Sequence, residues 1–289
     1  MAVIEPYRAP LARRRGGWPR LPAVGSIPWA ERAGMAVVVI LVLLSLASPL
    51  FAGDPTVATG QPFENPSWRH LLGTDDIGQD IFSRILYGLR ASWISAVAVI
   101  LSGMIIGGAI GLLAGTYGGW VDALLMRLTD AFLALPGPVL AIAVVAALGP
   151  SLLHTAIAVA IVWWPWYARL VRGEVRALVV RPHVDAARLA GVGPARLMVR
   201  HLLPGAIPPV IVMASLDVQN LVLTLAGLSF LGLGSPPPAP ELGAMTARGI
   251  SYLSGDPLVP LAPAVAIFVL AAAANFAGDG IRDLLDRAP

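Results

Sequence analysis

The sequence contains no cysteine and no lysine, and only 13% of its 289 residues are charged. Without cysteine there is no disulfide framework, no thiolate nucleophile and no zinc-thiolate site. Without lysine there is no complete Walker A phosphate loop and no Schiff-base amine, so the chain cannot bind and split ATP by that route alone. Soluble domains carry about 25% charged residues. The low charge here, with 57% hydrophobic residues and a mean hydropathy of +0.76, excludes an ordinary soluble domain, a disordered chain and a fibrous protein. All 20 basic residues are arginine. The sequence pI of about 9.8 invites a nucleic-acid reading, but the placement of the arginines fits membrane topology better.

A bilayer core takes about 20 predominantly apolar residues per helix. Six stretches meet that need, at residues 34–51, 91–114, 121–148, 151–167, 206–231 and 258–277. The third opens with Asp122, Arg127 and Asp130 and carries helix-breaking Pro136 and Pro138 further in. Arginine accumulates on the cytoplasmic side. With the N-terminus inside, the internal pieces 1–33, 168–205 and 278–289 hold 15 arginines and the external pieces hold 4, which predicts that both termini are cytoplasmic. The first stretch, behind Arg13, Arg14 and Arg15, also has the form of a signal peptide with a small-residue site at Leu46-Ala47-Ser48. Five further spans and a long basic tail argue for a retained helix. That proline-containing tail suits an irregular chain lying against anionic lipid.

The expected organisation is therefore an all-α polytopic membrane protein with six transmembrane helices. Its parts are a basic cytoplasmic tail (1–33), a first span with an extracytoplasmic segment (34–90), a five-helix core (91–278) and a short cytoplasmic tail (279–289). The extracytoplasmic segment runs from a polar, proline-rich stretch into an amphipathic one at 81–89, with Thr74 or Asp75 placed to cap it. Asp75, Asp76 and Asp80 have the look of calcium ligands, but no glutamate stands at the twelfth position of an EF-hand loop.

The internal connection 168–205 is the most informative stretch. Pro182 suits a first helical position and Gly191 the left-handed residue that ends a helix, while Pro194 starts a second short helix that stops before Pro204. Two short, arginine-rich helices at an angle suit a docking element, and they equally suit a solvated basic loop that only fixes topology. Periodicity alone leaves both open.

At this loop the chain resembles the inner-membrane permeases of binding-protein-dependent ABC importers. Their signature is Glu-Ala-Ala, three residues, Gly, nine residues, Ile, any residue, Leu-Pro. Asp185-Ala186-Ala187, Gly191 and His201-Leu202-Leu203-Pro204 meet the spacing, with Asp for Glu and His for Ile. Further stretches narrow the resemblance to dipeptide and oligopeptide permeases of the C-subunit type. They are residues 72–80 with 83–88, the run 122–136, Arg200-His201-Leu202-Leu203-Pro204, residues 227–234 and residues 278–283. Gln79 stands where Arg is common, and Gly205 where Asn is usual. Members that carry nickel or other small solutes share much of the pattern.

The resemblance implies a homologous second permease, two ATPase subunits or domains that hold ATP and Mg, and an extracytoplasmic substrate-binding protein that delivers peptide. The chain itself would bind no cofactor and no metal, and would catalyse nothing. Asp185, Ala186, Ala187, Gly191, Leu203 and Pro204 would couple the spans to the ATPases. The missing lysine agrees independently, since the phosphate loop has to lie on another polypeptide.

Arg127 and Asp130, at i, i+3, are placed to form a structural ion pair near the inner end of the third span. Asp217, Gln219 and Asn220 lie nearer the middle of the fifth span, and either line the path or bond a neighbouring helix. His154 reads as an interfacial residue. An ion-coupled secondary transporter remains the alternative of another class, although the sequence shows no convincing inverted repeat. A polytopic assembly protein would not need the internal double-helix loop.

Overall fold

The structure is a computed structural model that describes residues 28–286. The expected basic tail up to residue 27 and the last three residues lie outside them. The described residues contain ten α-helices and no named strand.

α1 (Trp29–Phe51) is 23 residues long, and the hydroxyls of Ser45 and Ser48 bond back to the carbonyls three residues earlier, which satisfies their polar atoms in an apolar span. α2 (Ile81–Tyr117) fuses the expected amphipathic segment and the second span into one 37-residue helix. No proline separates them, and Gly88 at their junction stays helical, packed against Leu242. Its N-cap is Asp80, whose carboxylate accepts from the Ser83 amide at 2.7 Å. Thr74 and Asp75, the expected caps, instead hold the preceding loop: Thr74 Oγ1 donates to the Gln61 carbonyl at 2.6 Å, and Asp75 accepts from the amides of Ile77 and Gln79 at 3.1 and 2.8 Å.

The third expected span is broken. α3 (Gly119–Leu133) and α4 (Gly137–Leu148) meet at 82°. Pro136 caps α4 and Pro138 lies in its first turn, where a missing amide costs nothing. α5 (Leu152–Val179) continues twelve residues past its expected end, so Arg169, Arg172 and Arg176 stand on a helix and not in a loop.

α6 (Pro182–Leu189) follows. α7 (Pro194–Leu197) runs through a π-turn at Met198–Leu202 straight into α8 (Leu203–Leu228). The expected stop before Pro204 does not occur. The π-turn takes up the register, with the Leu203 amide donating to the Met198 carbonyl, and Pro204 falls in the first turn of α8. A second π-turn at Ser229–Leu233, α9 (Leu242–Gly249) and α10 (Leu258–Asp286) complete the chain.

The expected count of six spans is not reproduced by length and composition. Four helical stretches qualify singly among the described residues, and the bent α3–α4 pair brings the number to five. α5 is long enough, at about 42 Å for its 28 residues, but Trp163, Trp164, Pro165, Trp166 and three arginines make it too polar to qualify.

α5 is nonetheless the centre of the fold. Gly103, Gly107, Gly111 and Gly115 recur at every fourth position of α2 and form the seat on which α5 lies. A Cβ at Gly107 would stand 2.2 Å from the Trp164 carbonyl oxygen, and one at Gly111 would stand 2.4 Å from that of Ala168. The two backbones touch. Towards its start, α2 joins α5, α8 and α10 around one apolar core that includes Val99, Val159, Leu221 and Leu270. At the other end a second cluster, named the inner cluster, joins Tyr167, Val171, Val175 and Leu178 of α5 to Val184, Leu197 and Leu202 of the loop.

Candidate coupling loop and membrane path

α6 is held by its own ends. Pro182 sets the first turn and the buried Val184 pins the helix to α5. At the other end Gly191 adopts φ +79°. Its amide donates to the Arg188 carbonyl at 2.9 Å and that of Val192 to Ala187 at 3.1 Å, the two bonds of a Schellman motif. Val192 and Ala187 both pack on the inner cluster. The face turned away from that cluster carries Asp185, Ala186 and Arg188, all exposed, and Leu189, which is 90% exposed. Among the described residues Asp185 has a single long contact, with Arg188 at 3.4 Å, which leaves its carboxylate on the open face. Asp185, Ala186 and Gly191 therefore share the open face, whereas Ala187 faces the protein. Leu203 and Pro204 are exposed at the start of α8, away from this helix in sequence and joined to it through Leu197 and Leu202.

The expected pair of Arg127 with Asp130 is not formed. Asp130 bonds Arg169 of α5 at 2.7 Å, because α5 lies alongside and presents its arginines to α3. Asp122 is the stronger anchor. It accepts from Arg172 Nε and Nη2 at 2.5 and 2.7 Å and from Arg176 Nη2 at 2.5 Å.

Asp217 is buried and accepts from the indole N–H of Trp163 at 3.0 Å. The fully buried Tyr167 hydroxyl stands within electrostatic reach of the same carboxylate but outside hydrogen-bond geometry. Asp217 therefore does bond a neighbouring helix. It also lines an open cavity of about 630 Å³ with Leu170, Pro208, Val212, Met213 and Arg282. Gln219 is half-buried, and the exposed Asn220, one turn beyond Asp217 on α8, reaches the same carboxylate with its side chain.

At the end of the bundle away from α6, Arg84 is a residue whose role the sequence did not announce. Its side chain is 1% exposed and reaches Asp75 at 3.5 Å, the carbonyls of Pro55 and Pro238 at 2.8 and 3.2 Å, and the side-chain oxygen of Gln79. One guanidinium thus ties the loop before α2 to the loop before α9. Near it the Asp76 carboxylate, 3.3 Å from the Tyr252 hydroxyl, pushes that phenol's pKa up, while the hydroxyl and amide of Thr56 hold the Asp54 carboxyl below its usual range. Removing one partner of a buried ion pair costs about 3–5 kcal/mol. Arg84→Met is therefore expected to loosen these loops, read as protease cleavage within residues 54–80 at temperatures where the native protein resists.

Residues 107–289 match the family described as binding-protein-dependent transport system inner membrane component. The chain belongs to this family. Within these inner membrane components it is of the dipeptide and oligopeptide ABC importer type, as its relatives indicate. It is 45% identical over 77% of its length, and 74% of theirs, to the glutathione transport system permease protein GsiD of Pectobacterium atrosepticum. It is 41% identical to the probable D,D-dipeptide transport system permease protein DdpC of Escherichia coli K12, covering 86% of this chain and 85% of that one. The nickel transport system permease protein NikC of the same strain is 38% identical over 89% of this chain and 94% of its own length. Among solved structures, an inward-facing form of the MetNI methionine ABC transporter shares the fold with a TM-score of 0.57 at 22% identity, over 71% of this chain and 97% of that chain. The chain is thus a multi-pass permease subunit and not itself an enzyme.

Proposed function

We propose that the chain carries dipeptides or oligopeptides inward through the cytoplasmic membrane, as one of two homologous permeases driven by separate ATPases and fed by an extracytoplasmic binding protein. The observation that carries this reading is α6: a short helix opened by Pro182, closed by the turn at Gly191 and fixed to α5 by buried Val184, with its other face left open and bearing Leu189 at 90% exposure. A helix fixed along one side with its other side open suits the helix-in-groove mode of docking on a partner, with Leu189 as the apolar anchor. Asp185 supplies the charged contact there, and Ala186 lets the partner approach closely.

Both termini lie in the cytoplasm in this reading, following the arginine distribution, and six spans result when the bent α3–α4 pair and α5 both cross. When the ATPases close on ATP, α6 is carried with them, and the spans exchange inward-open for outward-open access. The cavity beside Asp217 forms part of the path on the inner half.

Substrate class is tested by reconstituting the complete importer in liposomes and measuring uptake of a labelled dipeptide. Unlabelled dipeptides are expected to compete and nickel to leave uptake unchanged. Nickel accumulation without dipeptide uptake would replace the peptide reading with the metal one known by name among the relatives.

A further inference from the structure

Asp122 lies 10% exposed near the start of α3, and its carboxylate is engaged by two arginines one helical turn apart on α5. Arg172 grips both oxygens and Arg176 one of them. Two further points of attachment follow along the same pair of helices. Asp130 bonds the half-exposed Arg169 at 2.7 Å, and the Phe132 ring meets Trp164 edge-on with centroids 5.2 Å apart. Rising positions on α3 meet falling positions on α5, so the contacts form one antiparallel register.

The register is specified by charge. A slip of α3 by one turn would separate Asp122 from at least one of its arginines and break the three-bond grip on a buried carboxylate, which is costly. Apolar packing alone, with Leu124 and Leu128 of α3 turned outward, would tolerate such a slip far better. α5 is in turn joined to α6 through only Val180 and Arg181, and buried Val175, Leu178 and Val184 close that joint. Contacts thus run continuously from α6 to α5 to α3, and α4 also packs on α5 through Ala141 and Val145. The first interruption of regular helix beyond α3 is the 82° bend before α4, at Ala134 to Pro136.

We propose that Asp122 is a positioning residue for coupling: it locks α3 to α5, so that displacement of α6 moves α3 with it and is converted at the Pro136 bend into a reorientation of α4. The proposal rests on the reading of α6 as the ATPase contact. It does not depend on which solute is carried.

The test uses the complete importer in lipid nanodiscs, with spin labels at Leu50, exposed at the end of α1, and Leu148, exposed at the end of α4. The distance between them is read with and without ATP and in the absence of substrate. Native protein is expected to show an ATP-linked shift. Asp122→Asn, which cannot take the two-arginine grip as a charge, is expected to lose most of that shift and to transport about tenfold less solute per ATP hydrolysed, while hydrolysis itself continues. Asp122→Glu, which keeps the charge, is expected to restore both. A merely structural role would lower hydrolysis and transport together and leave their ratio unchanged. If the Asp122→Asn complex does not assemble, Arg176→Gln, which leaves the Arg172 fork in place, is measured instead, with a partial loss of the shift expected. An unchanged shift in the variant that assembles, or no ATP-linked shift of α4 in the native complex, overturns the proposal. A native complex that shows the shift but takes up no dipeptide overturns the peptide reading alone.

Discussion

Gly107→Leu is expected to prevent recovery of a folded, monodisperse protein from the membrane, whereas Gly108→Leu, one residue along the same helix, is expected to be tolerated. The difference lies in what each side chain meets. At Gly107 even a Cβ would overlap the Trp164 carbonyl oxygen at 2.2 Å, with Tyr167 Cβ and the Ala168 amide nitrogen at 2.8 and 2.9 Å. At Gly108 nothing lies within 4 Å. Two of the three atoms at Gly107 belong to the backbone, so no rotamer change relieves the clash and α2 and α5 must separate. Overpacking a good interface costs about 1–3 kcal/mol where side chains can shift, and here the obstacle is main chain. Size-exclusion chromatography and thermal unfolding in detergent compare the two variants directly. Equal behaviour would mean that α2 and α5 do not pack along this glycine face.

Gly191→Val is expected to cut uptake more than tenfold while the amount of inserted protein stays near native. The residue sits at φ +79°, where an L side chain costs about 1–2 kcal/mol and a β-branched one fits worst. No neighbour lies within 4 Å of its Cβ position, so the effect is backbone strain and not a clash. That strain competes with the two Schellman bonds that end α6 and so tilts the face carrying Leu189. Gly191→Asn, which tolerates the left-handed region, is expected to keep most activity. Gly191→Asp tolerates the backbone almost as well but adds a carboxylate to the open face, and is expected to abolish uptake through the docking contact. A bulky residue at Ala187 acts from the other side, since this position faces the inner cluster and the substitution lifts α6 off α5. Uptake in reconstituted liposomes, normalised to inserted protein, separates these outcomes.

How much of this was legible in the sequence differs from element to element. The loop was readable because its signals are local. Pro182, Gly191 and Pro194 act on their own turns of backbone, and α6 begins and ends within a residue of where they place it. The hydrophobic stretches were readable as helices for the same reason. Pairing was not. Arg127 and Asp130 satisfy the spacing of an intrahelical pair, yet the carboxylate finds Arg169, because which helix lies alongside is a property of tertiary packing. The same holds for Asp122 with Arg172 and Arg176, fifty or more residues apart in sequence. The glycine repeat from 103 to 115 is visible as a small residue at every fourth position, the mark of a close helix crossing. What it cannot say is that α5, the least apolar of the long helices, is the one that seats there. Arg84 was hidden by its type: an arginine at a helix start reads as solvated unless the carbonyls of Pro55 and Pro238 are known to converge on it. Pro204 shows the opposite error, since a proline read as a stop lies in the first turn of a helix that a π-turn had already set up.

The central claim is that this chain moves solute with energy from ATP split on other polypeptides and delivered through the loop around α6. The measurement that tests it most directly is labelled-dipeptide uptake by liposomes holding the complete importer, with ATP, binding protein and ion gradients varied one at a time. Uptake is predicted to stop when ATP or the binding protein is withheld, and to continue when ionophores dissipate every gradient. Uptake that persists without the ATPases and collapses with the gradient would contradict the account and identify an ion-coupled carrier instead.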